Sequence, residues 1–230
     1  LSPAGTLHAT TIATVAFSPD GSVGYAMFIG SDSRGSTPTG YQPIVFKTTN
    51  SGTTWTLMPT LNLYNNAVMS QYITPVQGTS NYKPYFDESD IVVDYLGNLH
   101  IVALCRGTNS TNPELLNSYN TGDKGAIFDV VVSAQGGASV VRFIESLETD
   151  LVPANESGYG AGSDAVGWNH RLQASRSEDG KVVIAIWSDT DSQFFGETLN
   201  LYPDIRGQAY RVSDSHSSPV IDFTRLGDTY

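Results

Sequence analysis

The sequence predicts an all-β protein, and three observations lead to this fold class. The 230 residues are 40% hydrophobic but only 15% charged, and they include 22 Gly and 11 Pro, a composition typical of short strands joined by tight turns. A unit of apolar strand, Gly turn and apolar strand recurs along the chain. No apolar stripe with a helical period has a convincing length, since the nearest candidate, residues 113–117, is too short.

Each copy of the repeated unit begins with a hairpin. The first strands are predicted at residues 14–17, 91–94 and 172–176, and the second strands at residues 23–29, 99–104 and 181–187. Gly21, Gly97 and Gly180 stand in the turns between them, where a positive φ favours glycine. These glycines are 76 and 83 residues apart, so the repeat is long but keeps its order.

Two further strands follow each hairpin. They are predicted at residues 43–47 and 55–57, 126–132 and 140–144, and 208–212 and 220–223. Four-stranded antiparallel units in tandem are the blades of a β-propeller, whereas a β-sandwich would also show evenly spaced strands and Gly-rich turns. Because short and long connections alternate, the sequence favours one propeller segment over residues 1–230, with blades at about 12–57, 90–144 and 172–224.

The turn between the last two strands of the first blade carries the clearest motif. Residues 48–55 read Thr-Thr-Asn-Ser-Gly-Thr-Thr-Trp, which resembles the Asp-box motif Ser-x-Asp-x-Gly-x-Thr-Trp of the BNR-repeat, sialidase-like β-propellers of bacterial secreted type. Thr48, Asn50, Gly52 and Trp55 occupy the motif positions, with Thr in place of Ser and Asn in place of Asp. We expect Asn50 to accept hydrogen bonds from nearby backbone N–H groups, Gly52 to take a positive φ and Trp55 to pack under the blade. In that family the motif is structural, so the resemblance implies no catalytic role for it.

Three blades are too few for a closed propeller, which takes roughly four to eight. We therefore expect the chain either to be part of a longer protein or to associate with other copies or chains. In both cases we expect further blades of the same or another chain, because the first and last sheets would otherwise expose long edges and apolar faces.

The candidate binding residues lie beside the innermost strands, on the face of the long connections. They are Asp87, Glu88 and Asp90 before one strand, His170 and Arg171 before another, and Arg106 at the exit of a second strand. Carboxylates beside Arg and His can serve acid–base chemistry or bind a cation. The alternative is that the carboxylates cap and solubilise a loop.

No cofactor is predicted, although calcium is possible. Asp189 and Asp191 alternate as in a calcium loop but lack the Gly and the distal Glu of an EF-hand, so a solvated loop is the alternative. Cys105, the only cysteine, stands in an apolar run and is expected to be a small buried hydrophobe.

Charge and hydropathy restrict the partners. The formal net charge of -11 disfavours binding to nucleic acid or to an anionic lipid surface. No apolar stretch approaches the roughly 18 residues that cross a bilayer. A low Lys content with abundant Ser, Thr, Asn, Gly and Tyr is typical of bacterial secreted or cell-surface domains.

The sequence thus predicts a noncatalytic binding module that uses the long-loop face for a glycan or protein ligand. The alternative is a fragment of a sialidase-like glycoside hydrolase. The resemblance to that family implies a triad of arginines on the substrate carboxylate, a tyrosine nucleophile with a glutamate partner, and an acid/base carboxyl group. Here no Arg-Ile-Pro signature occurs, and only Arg106 and Arg171 are expected near the central rim.

Overall fold

The computed structural model describes residues 7–9, 13–34, 39–109, 124–136, 139–149, 170–190 and 203–225. In this part of the chain the strands form three antiparallel sheets, and the one helical element is the 3-10 turn Met69–Gln71. The all-β fold class is confirmed.

The first sheet contains β1 (Leu7–Ala9), β2 (Thr14–Phe17), β3 (Gly24–Asp32), β4 (Thr39–Thr48) and β5 (Thr56–Leu57). β1 and β2 both pair with β3, at opposite ends of it, so they form one interrupted edge. β4 pairs with β3 and β5 pairs with β4.

The other two sheets keep this order. The second contains β6 (Pro84–Val93), β7 (Leu99–Gly107), β8 (Ala126–Val132) and β9 (Val140–Ser146), each hydrogen-bonded to the next. The third contains β10 (Gln173–Arg176), β11 (Val182–Asp189), β12 (Asp204–Arg211), β13 (His216–Ser217) and β14 (Ile221–Asp222). β13 and β14 both pair with β12, so they form the far edge of that sheet.

The hairpin turns behave as the glycine pattern predicts. Gly21, Gly97 and Gly180 have φ values of 72°, 77° and 70°. The turn of the second sheet is one residue shorter, since Asp94 N donates to Asn98 O whereas Ser18 and Ser177 donate to the residue five positions on. Glycine spacing therefore misaligns the second strands by one residue between sheets.

The start of β6 differs from the prediction. The strand begins at Pro84 rather than at residue 91, so Asp87, Glu88 and Asp90 lie within it and not before it. A register shift between Phe86 and Glu88 lets the strand continue past the acidic residues. Such a bulge breaks the alternation of apolar and polar residues that marks a strand in sequence.

The sheets stack in chain order. We call the face of a sheet that is turned towards the next sheet along the chain its forward face, and the opposite face its backward face. Met27 and Ile29, on the forward face of the first sheet, share a core with Ile101 and Ala103, on the backward face of the second. Residues on the forward face of the second sheet pack in turn against Trp187 of the third sheet. Each pair of consecutive sheets thus shares an apolar core.

The first strands of the three sheets converge. β6 packs against both β2 and β10. At the turn end, Tyr95 N donates to Gly180 O at 3.1 Å, and a Cβ on Gly180 would meet the Pro19 ring at 2.5 Å. The first and third sheets therefore also touch where their first turns meet.

Candidate functional site

The predicted site residues lie where the second and third sheets meet. β6 carries Asp87, Glu88 and Asp90, and the segment that enters β10 carries His170 and Arg171. Arg106 lies near the end of β7 and is fully buried rather than projecting from the strand end. The structure brings Glu88 into contact with His170 and Asp87 into contact with Arg106, whereas Arg171 lines a cleft on the forward face of the third sheet.

Two carboxylates of β6 hold the free edge of β10. Glu88 Oε1 accepts from His170 N at 2.6 Å, and Glu88 Oε2 accepts from Leu172 N at 2.9 Å. Asp90 Oδ2 accepts from Ala174 N at 2.9 Å. These alternate N–H groups point to the edge of the strand that does not pair with β11, so the two side chains stand in for a neighbouring strand.

Asp87 pairs with the buried arginine. Arg106 Nε donates to Asp87 Oδ2 at 2.9 Å, and its Nη1 donates to the Lys124 carbonyl. The Asp87 side chain is 30% exposed while Arg106 is inaccessible. A guanidinium removed from water requires such partners, because an uncompensated buried charge is strongly destabilising. This pair fixes the end of β7 to β6.

The His170 ring is also engaged. His170 Nδ1 lies 2.8 Å from Ser188 O, and because a carbonyl only accepts, Nδ1 carries the proton. His170 Nε2 is buried with no hydrogen-bond partner among the described residues. The next residue, Arg171, is exposed and has a φ of 52°. The backbone therefore turns sharply between the buried His170 and the exposed Arg171.

A cleft of about 320 Å³ opens on the forward face of the third sheet, beside Arg171. Its lining includes Gln173, Ile186, Ser188 and Ile205. Trp187 and Pro203 also line it, and its accessible surface is mostly apolar. A mostly apolar surface of this kind is suited to the apolar side chains of a protein.

Sequence reasoning missed a buried charge network on the forward face of the second sheet. His100 Nδ1 lies 2.8 Å from Asp129 Oδ2, and His100 Nε2 lies 3.4 Å from Asp94 Oδ2. Arg142 Nη2 donates to the same Asp129 carboxylate, and the Arg142 guanidinium carbon lies 3.1 Å from the ring centroid of Tyr210 in the third sheet. The sequence pattern that could have indicated this network is a charged or ionisable residue inside each of three apolar strands, namely His100, Asp129 and Arg142.

This network changes two ionisation equilibria. Burial alone would lower the pKa of His100, but the charge and hydrogen bond of Asp129, with those of Asp94, raise the pKa to about 9. Burial would raise the pKa of Asp94, yet its hydrogen bonds from His100 and Asn98 hold that pKa below its usual value. His100 is therefore a cation at neutral pH, held between carboxylates.

Thr48, Asn50, Gly52 and Trp55 belong to a self-contained turn between β4 and β5. Asn50 Oδ1 accepts from Thr54 N at 2.9 Å, and Gly52 N donates to Thr48 Oγ1 at 3.0 Å. Gly52 has a φ of 85°, so the expected conformation and hydrogen bonding are both confirmed. Trp55 is partly exposed and makes an edge contact with Phe17, with ring centroids 6.0 Å apart.

Asp189, one of the two aspartates in the candidate calcium loop, accepts hydrogen bonds from groups of the protein. Asp189 Oδ1 accepts from Thr149 Oγ1 at 2.7 Å, and Asp189 Oδ2 accepts from Glu148 N at 2.9 Å. Asp191 lies outside the described residues. Within the described ranges, no group of three His, Cys, Asp or Glu side chains is placed to hold a metal ion.

Two further observations concern single features of the chain. Cys105 is fully buried, as its position in an apolar run predicts. The part of the chain that the structure describes contains no helix with the length and apolarity needed to cross a membrane.

Comparison with known proteins adds no family to this geometry. No protein-family model matches the chain, and no curated protein matches it.

Proposed function

We propose that the chain is a noncatalytic interaction module of a secreted or cell-surface bacterial protein, and that its three sheets are consecutive blades of an Asp-box β-propeller. The blade arrangement is supported by the sequential strand order of each sheet, by the convergence of the first strands and by the face-to-face stacking of the sheets. The ligand is a protein, which binds on the forward face of the third sheet around the cleft beside Arg171.

This proposal rests on one observation, that the charged groups form hydrogen bonds and an ion pair within the protein. Glu88 and Asp90 accept backbone hydrogen bonds from the third sheet, and Asp87 pairs with Arg106. A general acid or base needs an ionisable group within reach of substrate, whereas these groups bond to the protein itself. The cleft beside Arg171 is instead mostly apolar, as at the centre of a protein–protein interface.

A site-specific photocrosslinking experiment tests the ligand class. A photoreactive p-benzoylphenylalanine placed at Gln173, at the cleft, is expected to trap a protein in cells that produce the chain. The same amino acid placed at Leu96, in an exposed turn outside this face, is the matched control and is expected to trap none. The trapped protein is then purified, and its binding to the wild-type chain is measured directly.

A hydrolysis assay tests the noncatalytic part. The purified chain is expected to release no fluorophore from 4-methylumbelliferyl glycosides, sialosides included, above a heat-denatured sample. Release that disappears in Asp87→Asn would overturn the proposal in favour of the glycoside hydrolase.

A further inference from the structure

Apolar side chains are exposed on the forward face of the third sheet. Ile186 is 37% exposed, Ile205 is 47% exposed and Phe223 is 44% exposed. The Phe223 ring lies over Gly207, where a Cβ would approach it to 2.7 Å, so the aromatic ring lies flush with the sheet. Among the described residues, no other sheet packs on this face.

The repeat shows that this face is built like two buried ones. Met27, Val102 and Ile186 occupy the same forward position in β3, β7 and β11, because each lies three pairs beyond the turn-closing pair of its hairpin. Met27 is 2% exposed and Val102 is 1% exposed, since the next sheet covers each of them. Of these three residues, only Ile186 is exposed to solvent.

The backward face of the first sheet shows the complementary pattern. Val15 in β2 corresponds to Ile91 in β6, since each lies two residues before the end of its strand. Ile91 is 4% exposed under the preceding sheet, whereas Val15 is 53% exposed. Trp55 and Phe17, in edge contact, extend the same apolar surface.

We propose that these two faces bind each other between two copies of this chain, head to tail, so that two copies close a ring of six sheets. The inference rests on the proposed function, and it names the protein ligand as a second copy. Each new contact would repeat the one that joins consecutive sheets within the chain. The chain thus carries both halves of one interface.

Two features favour a second copy as the ligand: the number of sheets in the closed ring and a hydrogen-bond acceptor at the edge of β10. Two copies related by a twofold axis form two identical interfaces, and six sheets fall within the range of four to eight blades that close a propeller. Gln173 in β10 stands where Asp90 stands in β6. The Gln173 carboxamide oxygen can therefore accept a backbone N–H from β2 of the second copy, as Asp90 accepts from Ala174.

Analytical ultracentrifugation of the purified chain tests the association. The wild type, with a monomer mass of 24.7 kDa, is expected to sediment as a dimer at low micromolar concentration. Ile186→Asp and Val15→Asp each place a charge in the contact and are expected to weaken the dimer by about 100-fold or more. Leu96→Asp, at a similarly exposed apolar residue off both faces, is the matched control and is expected to stay dimeric.

Mixing the two variants distinguishes head-to-tail association from other dimers. In a mixed pair both substitutions fall on one interface, and the second interface is fully wild type. The mixture of two monomeric variants is therefore expected to recover a 1:1 dimer. Circular dichroism of each variant checks its β-structure, and recovery on mixing shows in addition that both variants are folded.

Three outcomes would overturn the second copy as occupant. A wild type that is monomeric throughout, a dimer that Val15→Asp leaves intact, and growth into open filaments are each incompatible with the closed ring. If the chain is monomeric but a different protein is trapped at Gln173, the interaction module stands and the second copy does not. If the dimer forms but hydrolyses glycosides, the ring stands and the noncatalytic function fails.

Discussion

His100 Nδ1 lies 2.8 Å from Asp129 Oδ2, and both side chains are buried between the second and third sheets. The Asp94 carboxylate is on the other side of the ring, 3.4 Å from Nε2. With a pKa raised to about 9, His100 is charged at neutral pH and joins the first turn of the second sheet to β7 and β8. The stability of the layer between the sheets should therefore depend on pH.

The first prediction is that stability falls as pH rises from 6.5 to about 9. In this range the folded protein keeps the His100 proton and the unfolded chain has released it. The contribution is fully present below the unfolded pKa and is lost as pH rises through the folded pKa. It is on the order of 3 kcal/mol in the free energy of unfolding, measured by urea denaturation across the range.

His100→Gln is expected to be less stable at pH 6 by a similar amount and to show a flatter pH dependence above 6.5. His216→Gln, at an exposed histidine, is the control and should keep the wild-type slope. An unchanged slope in His100→Gln would show that another group titrates.

The second prediction concerns Glu145, whose Oε1 lies 2.9 Å from Arg206 Nη2 between the second and third sheets. Burial raises the pKa of Glu145 to about 7, against the opposing charge of Arg206. The contribution of Glu145 to the free energy of unfolding is fully present below the unfolded pKa of 4.5 and is lost as pH rises through 7. Urea denaturation should show this decline in the wild type but a flatter profile in Glu145→Gln between pH 4.5 and 6.5, below the range in which the His100 contribution is lost. Glu178→Gln, on an exposed turn, should leave the decline in place.

The third prediction concerns the carboxylates that hold β10. Glu88→Ala leaves the N–H groups of His170 and Leu172 without their acceptor, so we expect a loss of about 2–4 kcal/mol in unfolding free energy. Glu88→Gln keeps one acceptor and should lose about half as much. Thermal and urea unfolding measure both variants, with Glu178→Ala as the exposed control. A Glu88→Ala protein as stable as the wild type would mean that Glu88 does not hold the strand.

The difference between local and distant signals explains how much the sequence could predict. The hairpins around Gly21, Gly97 and Gly180 were predictable, because an apolar strand and the turn that ends it are encoded within a few residues. The hydrogen bonding of the turn at residues 48–55 was predictable for the same reason.

Contacts between sheets were not predictable in this way. Glu88 bonds to a backbone N–H group 82 residues away, and the bulge that directs its side chain there interrupts the strand pattern. Asp129 and Arg142 stand inside apolar strands, but only the register places them opposite each other, and only sheet packing places Tyr210 beside them. The sequence thus named these residues without their bonding, which follows from the fold.

The last prediction separates the side-chain and backbone contributions to the stability of the turn at residues 48–55. Asn50→Ala removes the acceptor of Thr54 N and of the Thr48 hydroxyl, so we expect a loss of about 1–2 kcal/mol in unfolding free energy. Asn50→Asp keeps both acceptor contacts and should stay within about 0.5 kcal/mol of the wild type. Gly52→Ala should cost about 1–2 kcal/mol through its φ of 85° rather than through crowding, since its Cβ would lie 3.6 Å from the Phe17 ring. Thr53→Ala, in the same turn, is the control in urea denaturation, and an Asn50→Asp loss equal to that of Asn50→Ala would show that the amide donor and not the acceptor stabilises the turn.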